Sequence, residues 1–172
     1  EFGHSMANYK PIPLDAGYHA KDIKDSGTGY RVFFGYNVMK WLGAEVAVNY
    51  FYKPTFDGLH INGSAKDLKQ QKILNNVISL AARVTVPVPN LPGVSVDAYG
   101  GVGYVARGQI EDQSKQTVLP GGEYVRPVYG ATVDLNVYKG WNVQASWRQA
   151  AGSKTDQLPT SNFFGAGFYY QF

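Results

Sequence analysis

The segment FFGAGFYYQF, residues 163–172, carries the pattern that decides the fold of this chain. Successive side chains of an extended strand alternate between its two faces. One face of this segment holds Phe164, Ala166, Phe168, Tyr170 and Phe172. Soluble domains avoid an exposed apolar edge strand because it invites aggregation, whereas closure into a barrel removes the edge and lipid suits the aromatic face. The segment therefore predicts the closing strand of a membrane barrel, if the same pattern runs through the chain.

Composition narrows the classes of protein that this chain can belong to. Its 172 residues suit one domain, and its 20 Gly, 13 Tyr and 9 Phe favour strands. A net charge of +3 is too small to indicate nucleic-acid binding, and the lack of cysteine excludes disulfides and thiolate metal sites. No apolar run has the length of a membrane helix, so strands would have to make any membrane crossing.

The N-terminal end is the weakest part of the pattern. Residues 1–6, EFGHSM, resemble a cloning remnant and are excluded from the predicted fold, which leaves residues 7–172 as one barrel domain. The first strand is then predicted at residues 12–19. Pro11 and Pro13 disturb its start, because proline suits only a strand end or a bulge. The seam between the first and last strands is therefore the weakest expected pairing.

Seven further alternating segments and the links between them predict the architecture. The segments are residues 30–37, 42–50, 78–86, 94–107, 129–137, 141–148 and 163–172. The short links are residues 38–41, 87–93 and 138–140, and the long polar links are residues 21–27, 53–72, 109–123 and 150–160. Short and long links alternate, which puts all long links at one rim of an up-and-down barrel, as in outer-membrane barrels. The expected fold is an all-β, eight-stranded antiparallel up-and-down transmembrane barrel with both termini in the periplasm.

The two faces of the strands differ in a way that predicts which face meets lipid. One face is apolar and uncharged, as a lipid-facing band requires. The other face is small and polar with about one charge per strand and balanced signs, as a narrow interior requires, because buried charges need partners. The candidate lumenal charge network or gate is Arg31, Glu45, Arg83, Asp97, Asp134 and Arg148. The candidate membrane-interface aromatics are Tyr30, Tyr50, Tyr52, Tyr104, Trp141 and Trp147.

Several stretches, taken in order, resemble the eight-stranded transmembrane domain of the outer membrane protein A (OmpA) family. They are residues 35–38, 42–45, 82–84, 99–102 and 165–172. The resemblance implies a lumenal gate in which Glu45, Arg83 and Asp134 take part, with Gln144 where the family has an arginine. It also implies that Phe168, Tyr170 and Phe172 act as a signal for the barrel-assembly machinery. A peptidoglycan partner is implied only if a periplasmic domain follows in the native protein.

The expected function is that of a structural anchor in the outer membrane of a Gram-negative bacterium. Its loops would serve surface interaction: adhesion, lipopolysaccharide contact or contact with a host receptor. The alternative is a narrow, low-conductance pore gated by the lumenal charge pairs. We expect no enzyme, because His19 and His60 lack a nucleophile or acid at a telling spacing. No cofactor or metal is expected. Outer-rim cations for lipopolysaccharide phosphates are Lys21, Arg107, Lys115, Arg126 and Lys154.

Overall fold

The computed structural model describes residues 1–9, 18–61, 64–68, 71–73, 75–111 and 117–171. All regular structure in these ranges is β-strand. The strands are β1 (Phe2–Asn8), β2 (Tyr18–Lys24), β3 (Ser26–Met39), β4 (Leu42–Tyr50), β5 (Thr55–Ile61), β6 (Ser64–Leu68), β7 (Gln71–Lys72), β8 (Asn75–Pro87), β9 (Val94–Arg107), β10 (Ile110–Glu111), β11 (Thr117–Leu119), β12 (Gly122–Tyr138), β13 (Trp141–Ala150) and β14 (Thr160–Tyr170). The described part of the chain contains no helix with the length and apolar character to cross a membrane.

Eight of these strands close into an antiparallel barrel. Their order around the ring is β1, β14, β13, β12, β9, β8, β4 and β3. Each pairs with its neighbours along the barrel sequence, which is the up-and-down arrangement, and the last barrel strand meets the first. The predicted all-β, eight-stranded antiparallel barrel is confirmed. Six of the eight predicted strands lie within barrel strands, and the segment 163–172 coincides with β14 as far as Tyr170.

The first barrel strand is not where the sequence pattern put it. Phe2 pairs with Ala166 of β14 on one side and with Tyr30 of β3 on the other. Excluding residues 1–6 from the fold was therefore wrong, and their origin as a cloning remnant stays a prediction. The physical reason is the alternation within β1, where Ser5 is buried and Phe2 is 67% exposed. Of the segment predicted as the first strand, residues 12–17 lie outside the described residues, and Tyr18 begins β2, which pairs with β5 outside the barrel.

Short and long links alternate as predicted, and they give the barrel two unlike ends. The short links are residues 40–41, 88–93 and 139–140. Lys139 and Gly140 both have positive φ, 37° and 87°, as a two-residue hairpin turn requires. A side chain at Gly140 would also approach the carbonyl oxygen of Gln171 to 2.6 Å. We call this end the turn half of the barrel and the opposite end the loop half.

The long links build structure of their own on the loop half. β5 pairs with β2, β6 and β7, and β10 pairs with β11 in a hairpin. A buried apolar cluster, the cap cluster, joins three links. Its members are Ala7, Tyr9, Phe56, Ile73, Ile110, Val118 and Leu119. Burial raises the pKa of the Tyr9 hydroxyl well above its usual range, although the charge of Arg107 opposes this. The cap cluster therefore covers the loop end of the barrel with a dry core.

A second apolar cluster lies inside the barrel mouth beneath the cap. It consists mainly of inward residues on the loop half of the strands, and we call it the plug cluster. Its buried members are Phe51, Val77, Val105, Ala150, Leu158 and Phe163, with Tyr124 and Val128 packed against them. Phe163 has no exposed surface, although its neighbour Phe164 is 50% exposed on the outer face. The strand alternation thus supplies an apolar plug as well as an apolar outer surface.

Candidate functional site

The candidate site is the polar lumen below the plug cluster. Alternation along each strand turns the large apolar side chains outward, so that Phe34 is 71% and Phe168 72% exposed. The inward positions bury polar side chains instead. Those with charged or amide groups are Arg31, Glu45, Asn49, Asp97, Asp134, Asn142 and Gln144, while Asn75 and Arg107 are also buried but lie at the loop end. Since burial of a charge requires a partner, the contacts of these residues define what the lumen can do.

The central network is built around Arg31, which is 1% exposed. Its Nη1 atom donates to Glu1 Oε2 at 2.6 Å, and its Nη2 atom donates to Glu45 Oε1. Gln144 Nε2 donates to the other carboxylate oxygen of Glu1 at 2.7 Å. Gly167 makes room for Glu1, because a side chain there would come within 2.7 Å of the Glu1 Cα. Arg31 of β3 is thus held between two carboxylates, Glu1 immediately before β1 and Glu45 on β4, and β1 and β4 are the two strands that flank β3.

Arg148 is the second cation of the central network. Its Nη2 atom lies 4.0 Å from Glu45 Oε1, and its Nη1 atom donates to Thr132 Oγ1 at 2.9 Å and to the carbonyl of Ala131 at 3.0 Å. The guanidinium also lies over the ring of Tyr99, 3.6 Å from its centroid, which is a close cation–π contact. The central network is therefore Glu1, Arg31, Glu45, Gln144 and Arg148.

A separate polar group lies on the turn half, and we call it the vestibule group. Arg83 Nη1 is 3.9 Å from Asp97 Oδ2, and Arg83 Nη2 donates to Asn37 Oδ1. The Tyr99 hydroxyl donates to Asp97 Oδ2 at 3.3 Å. Asp134 is 3% exposed and interacts electrostatically with Asp97. A cavity of about 300 Å³ adjoins this group. Its polar lining includes Asn37, Arg83, Asp97, Asn136, Asn142 and Tyr169.

The structure distributes the predicted gate residues over these two groups. Glu45 pairs with Arg31 and approaches Arg148, whereas Arg83 pairs with Asp97. Asp134 takes part in none of the ion pairs between described residues. The three residues that the family resemblance joined in one gate are therefore not joined by direct ion pairs. Their role in gating stays a prediction.

Sequence reasoning missed Glu1 as a member of the central network. It was discarded with residues 1–6, although Phe2 and His4 alternate with Gly3 and Ser5 in the pattern of the other strands. That alternation was the signal that could have found it. The position of Gln144 was identified, but its hydrogen bond to Glu1 could not be predicted while Glu1 was excluded.

The predicted interface aromatics fall into two sets. Tyr30 and Tyr50 stack with ring centroids 4.5 Å apart on the outer face, and Tyr104 and Trp141 are 40% and 47% exposed. Trp147 is half-buried against Tyr129 on the same face. Tyr52 differs, since its ring packs over Gly27 and its backbone N–H donates to Ser5 Oγ at 2.7 Å. Tyr52 therefore lies at the inner side of the loop mouth, and contact of the others with headgroups stays a prediction.

Two residues of the proposed assembly signal, Phe168 and Tyr170, lie near the turn end of β14. Phe168 and Tyr170 are exposed and pack against Trp141, with ring centroids 6.1 and 5.3 Å away. Phe172 lies outside the described residues. Recognition of these residues by an assembly machinery stays a prediction.

Two predicted cations of the loop rim, Arg107 and Arg126, are engaged within the protein, whereas Lys115 lies outside the described residues and the structure does not describe the side chain of Lys21. Arg107 is buried and donates to the carbonyls of Gln157 and Pro120, which ties two links together. Arg126 pairs with Asp156, and Lys154 is exposed. No metal-ligating group of three or more His, Cys, Asp or Glu side chains occurs among the described residues. The backbone of His19 lies opposite that of His60 in the pairing of β2 with β5.

Comparison with known proteins agrees with the barrel fold. The family model described as "Outer membrane protein beta-barrel domain" matches residues 5–172. A search of curated proteins gives no match. The matched range includes part of β1 and every other barrel strand. The chain therefore belongs to the outer membrane protein β-barrel domain family.

Proposed function

We propose that this outer membrane protein is a structural anchor. It presents for surface interaction the described parts of its long links, which are joined by the cap cluster and which we call the loop cap. The observation that carries the proposal is the stacking of two apolar clusters over the loop half of the lumen. Phe163 and Leu158 of the plug cluster are at most 2% exposed, and so are Phe56 and Val118 of the cap cluster. Ions cross such dry, close-packed layers poorly, since a charge there loses its hydration.

The same two apolar clusters also argue against a pore that is gated by charge pairs alone. Rearrangement of the pair between Arg31 and Glu45 would open polar space only below the plug cluster. A continuous water path would also require movement of Phe163, Phe51 and their neighbours. A gate made of charge pairs alone is therefore insufficient, which supports the anchor over a pore gated by Glu45, Arg83 and Asp134.

One observation favours the pore as the second candidate. The turn half holds the cavity of about 300 Å³ beside Arg83 and Asp97, so half of the lumen has room for water. If the loop cap opened as a unit, this vestibule would continue into the barrel mouth. The alternative is thus a narrow pore whose main barrier is the plug cluster, with the charge pairs as a second barrier.

Planar-bilayer recordings separate these candidates. We expect the unmodified protein and the variant Glu45→Ala to give no conductance steps, because both keep the plug cluster. A variant with Phe51→Ala and Phe163→Ala should give small steps, because it thins the plug. Phe164→Ala is the matched control, since this neighbour faces outward. Steps from the unmodified protein that change with Glu45→Ala would contradict the anchor proposal and support the charge gate.

The loop cap is the part of the protein that supports surface interaction. The described links are held together by strand pairing and by buried apolar contacts, so they present fixed surfaces. Fixed surfaces lose less conformational entropy on binding than mobile loops. We propose an extracellular position for this cap in a Gram-negative outer membrane, with the termini in the periplasm. A host or cell-surface receptor and lipopolysaccharide are the proposed partners.

The contacts of the rim cations weaken the case for lipopolysaccharide binding. Arg107 and Arg126 are engaged by protein groups, and Lys154 is exposed. Binding of expressing cells to host cells or matrix tests the receptor. Replacement of residues 57–69 by a Gly/Ser linker of equal length should abolish binding, and Lys154→Ala should retain it. Unchanged binding by the linker variant would contradict a receptor site in this link.

Other partners follow from the family resemblance and stay proposals. The barrel-assembly machinery would recognise the aromatic end of β14. Peptidoglycan would be a partner only if a periplasmic domain followed residue 172. Pull-down of the assembly machinery with Phe168→Ala and Tyr170→Ala variants tests the first of these, and equal recovery would count against the signal. We propose no enzymatic activity, and mass spectrometry of lipid A from expressing cells would detect deacylation.

A further inference from the structure

The two carboxylates of the vestibule group are buried beside too few cations. Asp97 and Asp134 are 2% and 3% exposed, so both are more than nine-tenths buried. Among the described residues, Arg83 is the cation that forms an ion pair with this group, at 3.9 Å from Asp97 Oδ2, and its Nη2 atom donates to Asn37. Lys40 also lines the adjoining cavity, but it is exposed to water. Because a buried charge needs a partner, the group lacks one positive charge.

The hydrogen bonds of the two carboxylates are a second indication of a missing partner. Neither carboxylate oxygen of Asp134 forms a hydrogen bond of normal distance and angle, and nor does Asp97 Oδ1. Asp134 interacts electrostatically with Asp97 and Tyr169, and the Tyr99 hydroxyl donates to Asp97 Oδ2 at 3.3 Å. Three of the four carboxylate oxygens are therefore buried without a normal hydrogen bond, which is unfavourable unless a ligand satisfies them.

The register of β9 and β12 brings these oxygens to one place in the lumen. Thr132 lies opposite Asp97 and Asp134 lies opposite Ser95, so the two aspartates occupy diagonal inward positions on neighbouring strands. Diagonal neighbours of an antiparallel pair are about 7–8 Å apart, which two carboxyl groups can span around one ion with bonds of about 2.0–2.6 Å to oxygen. Ser95 and Asp97 also line the cavity of about 300 Å³, so a hydroxyl group and water lie beside the pair.

We propose that Asp97 and Asp134 bind a hydrated divalent cation of the Mg²⁺ type in the vestibule. The Ser95 hydroxyl and water molecules of the cavity supply the remaining ligands. The ion supplies the positive charge that Arg83 alone does not provide, and it gives partners to carboxylate oxygens that the protein leaves without hydrogen bonds. It enters through the cavity on the turn half. The proposal does not depend on whether the barrel is an anchor or a pore.

The chemistry of the available donors specifies the class of ion. The described side chains around the cavity offer carboxylate, hydroxyl and amide oxygens, and the chain has no cysteine. Oxygen donors suit Mg²⁺, Ca²⁺ and Mn²⁺, whereas zinc and copper sites generally use nitrogen or sulfur. Two carboxylates are few for Ca²⁺, which takes about six to eight oxygen ligands, but Mg²⁺ is commonly held by one or two carboxylates and keeps several of its waters. A hydrated Mg²⁺-type ion therefore fits the donor set best.

Paramagnetic broadening tests the site in the unmodified chain. Mn²⁺ is the probe, because it takes the same oxygen ligands as Mg²⁺ and broadens the NMR signals of nearby nuclei. The isotope-labelled protein is folded in zwitterionic micelles, freed of metal with a chelator and titrated with Mn²⁺. We expect the amide signals of Ser95, Asp97 and Asp134 to lose intensity before that of Val48, which lies on the loop half of β4. Excess Mg²⁺ should restore the lost signals, because it competes for the same site.

Substitutions of single carboxylates then identify the ligands. Asp97→Asn and Asp134→Asn should each raise the Mn²⁺ concentration for half-maximal broadening by about tenfold or more, because one of two charged ligands becomes neutral. Asp156→Asn is the matched control, since this carboxylate pairs with Arg126 on the loop rim, and it should leave the broadening unchanged. Urea unfolding gives an independent measurement. Mg²⁺ should raise the unfolding midpoint of the unmodified protein and not that of Asp134→Asn, because an ion that binds only the folded state stabilises it.

Four results would overturn the proposal. Equal loss of the Ser95 and Val48 signals would mean that Mn²⁺ has no preferred site in the vestibule. Unchanged broadening in both aspartate variants would assign the ion to other carboxylates. A carboxyl ¹³C signal showing that one of the two aspartates stays protonated at neutral pH with Mg²⁺ in excess would make a proton the missing partner. Failure of Asp134→Asn to fold in metal-free buffer would mean that the protein itself already satisfies this carboxylate.

Discussion

The loop half and the turn half of this barrel are made by the same strands and have opposite interiors. On the loop half, inward residues such as Phe163 and Val105 pack into an apolar plug that the loop cap covers. On the turn half, inward residues such as Arg83 and Asp97 line a cavity of about 300 Å³. Arg31 and Glu45 lie between the two. The outer face is apolar beside both halves, so the difference is confined to the inward positions.

Two properties of the strands are set independently. Alternation decides which residues face lipid, and it is the same in both halves. The identity of the inward residue decides whether the lumen is dry or wet. An apolar inward residue needs only close packing, whereas a charged one needs a partner at a defined distance. Substitutions on the loop half should therefore act on stability through packing, and substitutions of charged residues should act through ion pairing.

The largest expected effect is on the plug. Phe163→Ala removes a fully buried ring and should lower the free energy of unfolding by about 3–5 kcal/mol, since a cavity remains. Phe164→Ala is the matched control, because this ring is 50% exposed on the outer face and its removal leaves no internal cavity. Urea unfolding in lipid vesicles, followed by tryptophan fluorescence, measures both. Equal losses for the two variants would mean that the plug is not close-packed.

The next effect distinguishes the central network from the vestibule. Arg31→Met leaves Glu1 and Glu45 without their shared cation and should cost about 3 kcal/mol of stability. Arg83→Met should cost about 1 kcal/mol, because the Asp97 carboxylate keeps the Tyr99 hydroxyl and borders the cavity.

A compensating change checks the cause of the Arg31 effect. Glu45→Gln added to Arg31→Met should recover part of the loss in the same urea unfolding, because it removes one unpaired charge. If the double variant were as unstable as the sum of the single variants, the loss would come from packing rather than from charge. Equal losses for Arg31→Met and Arg83→Met would remove the distinction between the two regions.

The strands could be predicted from sequence because alternation is a local property. The segments from β3 onward needed only their own residues. β1 failed because the resemblance of residues 1–6 to a cloning remnant outweighed the alternation of Phe2 and His4 with Gly3 and Ser5. The inward position of the charges was likewise local. The pairing of these charges could not be predicted from local sequence. It depends on which neighbouring strands the side chains of Arg31, Arg83 and Arg148 reach, and closure of the barrel sets the register of those strands.

The loop half was the least predictable region. The cap cluster joins residues from three links, such as Tyr9, Phe56 and Leu119, whose contacts have no signal in sequence spacing. Arg107 is an example, because its sequence position near the rim predicted contact with a lipopolysaccharide phosphate. The structure gives it the carbonyls of Gln157 and Pro120, which only the folded links bring together.

A smaller effect tests the turn rim. Gly140→Ala forces a side chain onto a residue with φ of 87° and into contact with the Gln171 carbonyl, so it should cost about 1–2 kcal/mol. Gly100→Ala is the control, because a Cβ there meets nothing within 4 Å, and its cost should stay under about 0.5 kcal/mol. Thermal unfolding followed by gel migration compares the two. Indifference to Gly140→Ala would show that the hairpin turn adapts without loss.

The smallest effect concerns a charge pair on the loop rim, where water reaches both partners. The side chains of Arg126 and Asp156 are 23% and 36% exposed, so solvent screens their attraction. The coupling energy from a double-mutant cycle with Arg126→Ala and Asp156→Ala should be about 0.5 kcal/mol. It should fall further when salt is raised, because exposed charges are screened by ions. A coupling of the size expected for the buried pair of Arg31 and Glu45, unchanged by salt, would show that the dry region of the loop half extends to its rim. The boundary between the dry interior and the hydrated surface would then lie farther out, beyond the link that carries Asp156.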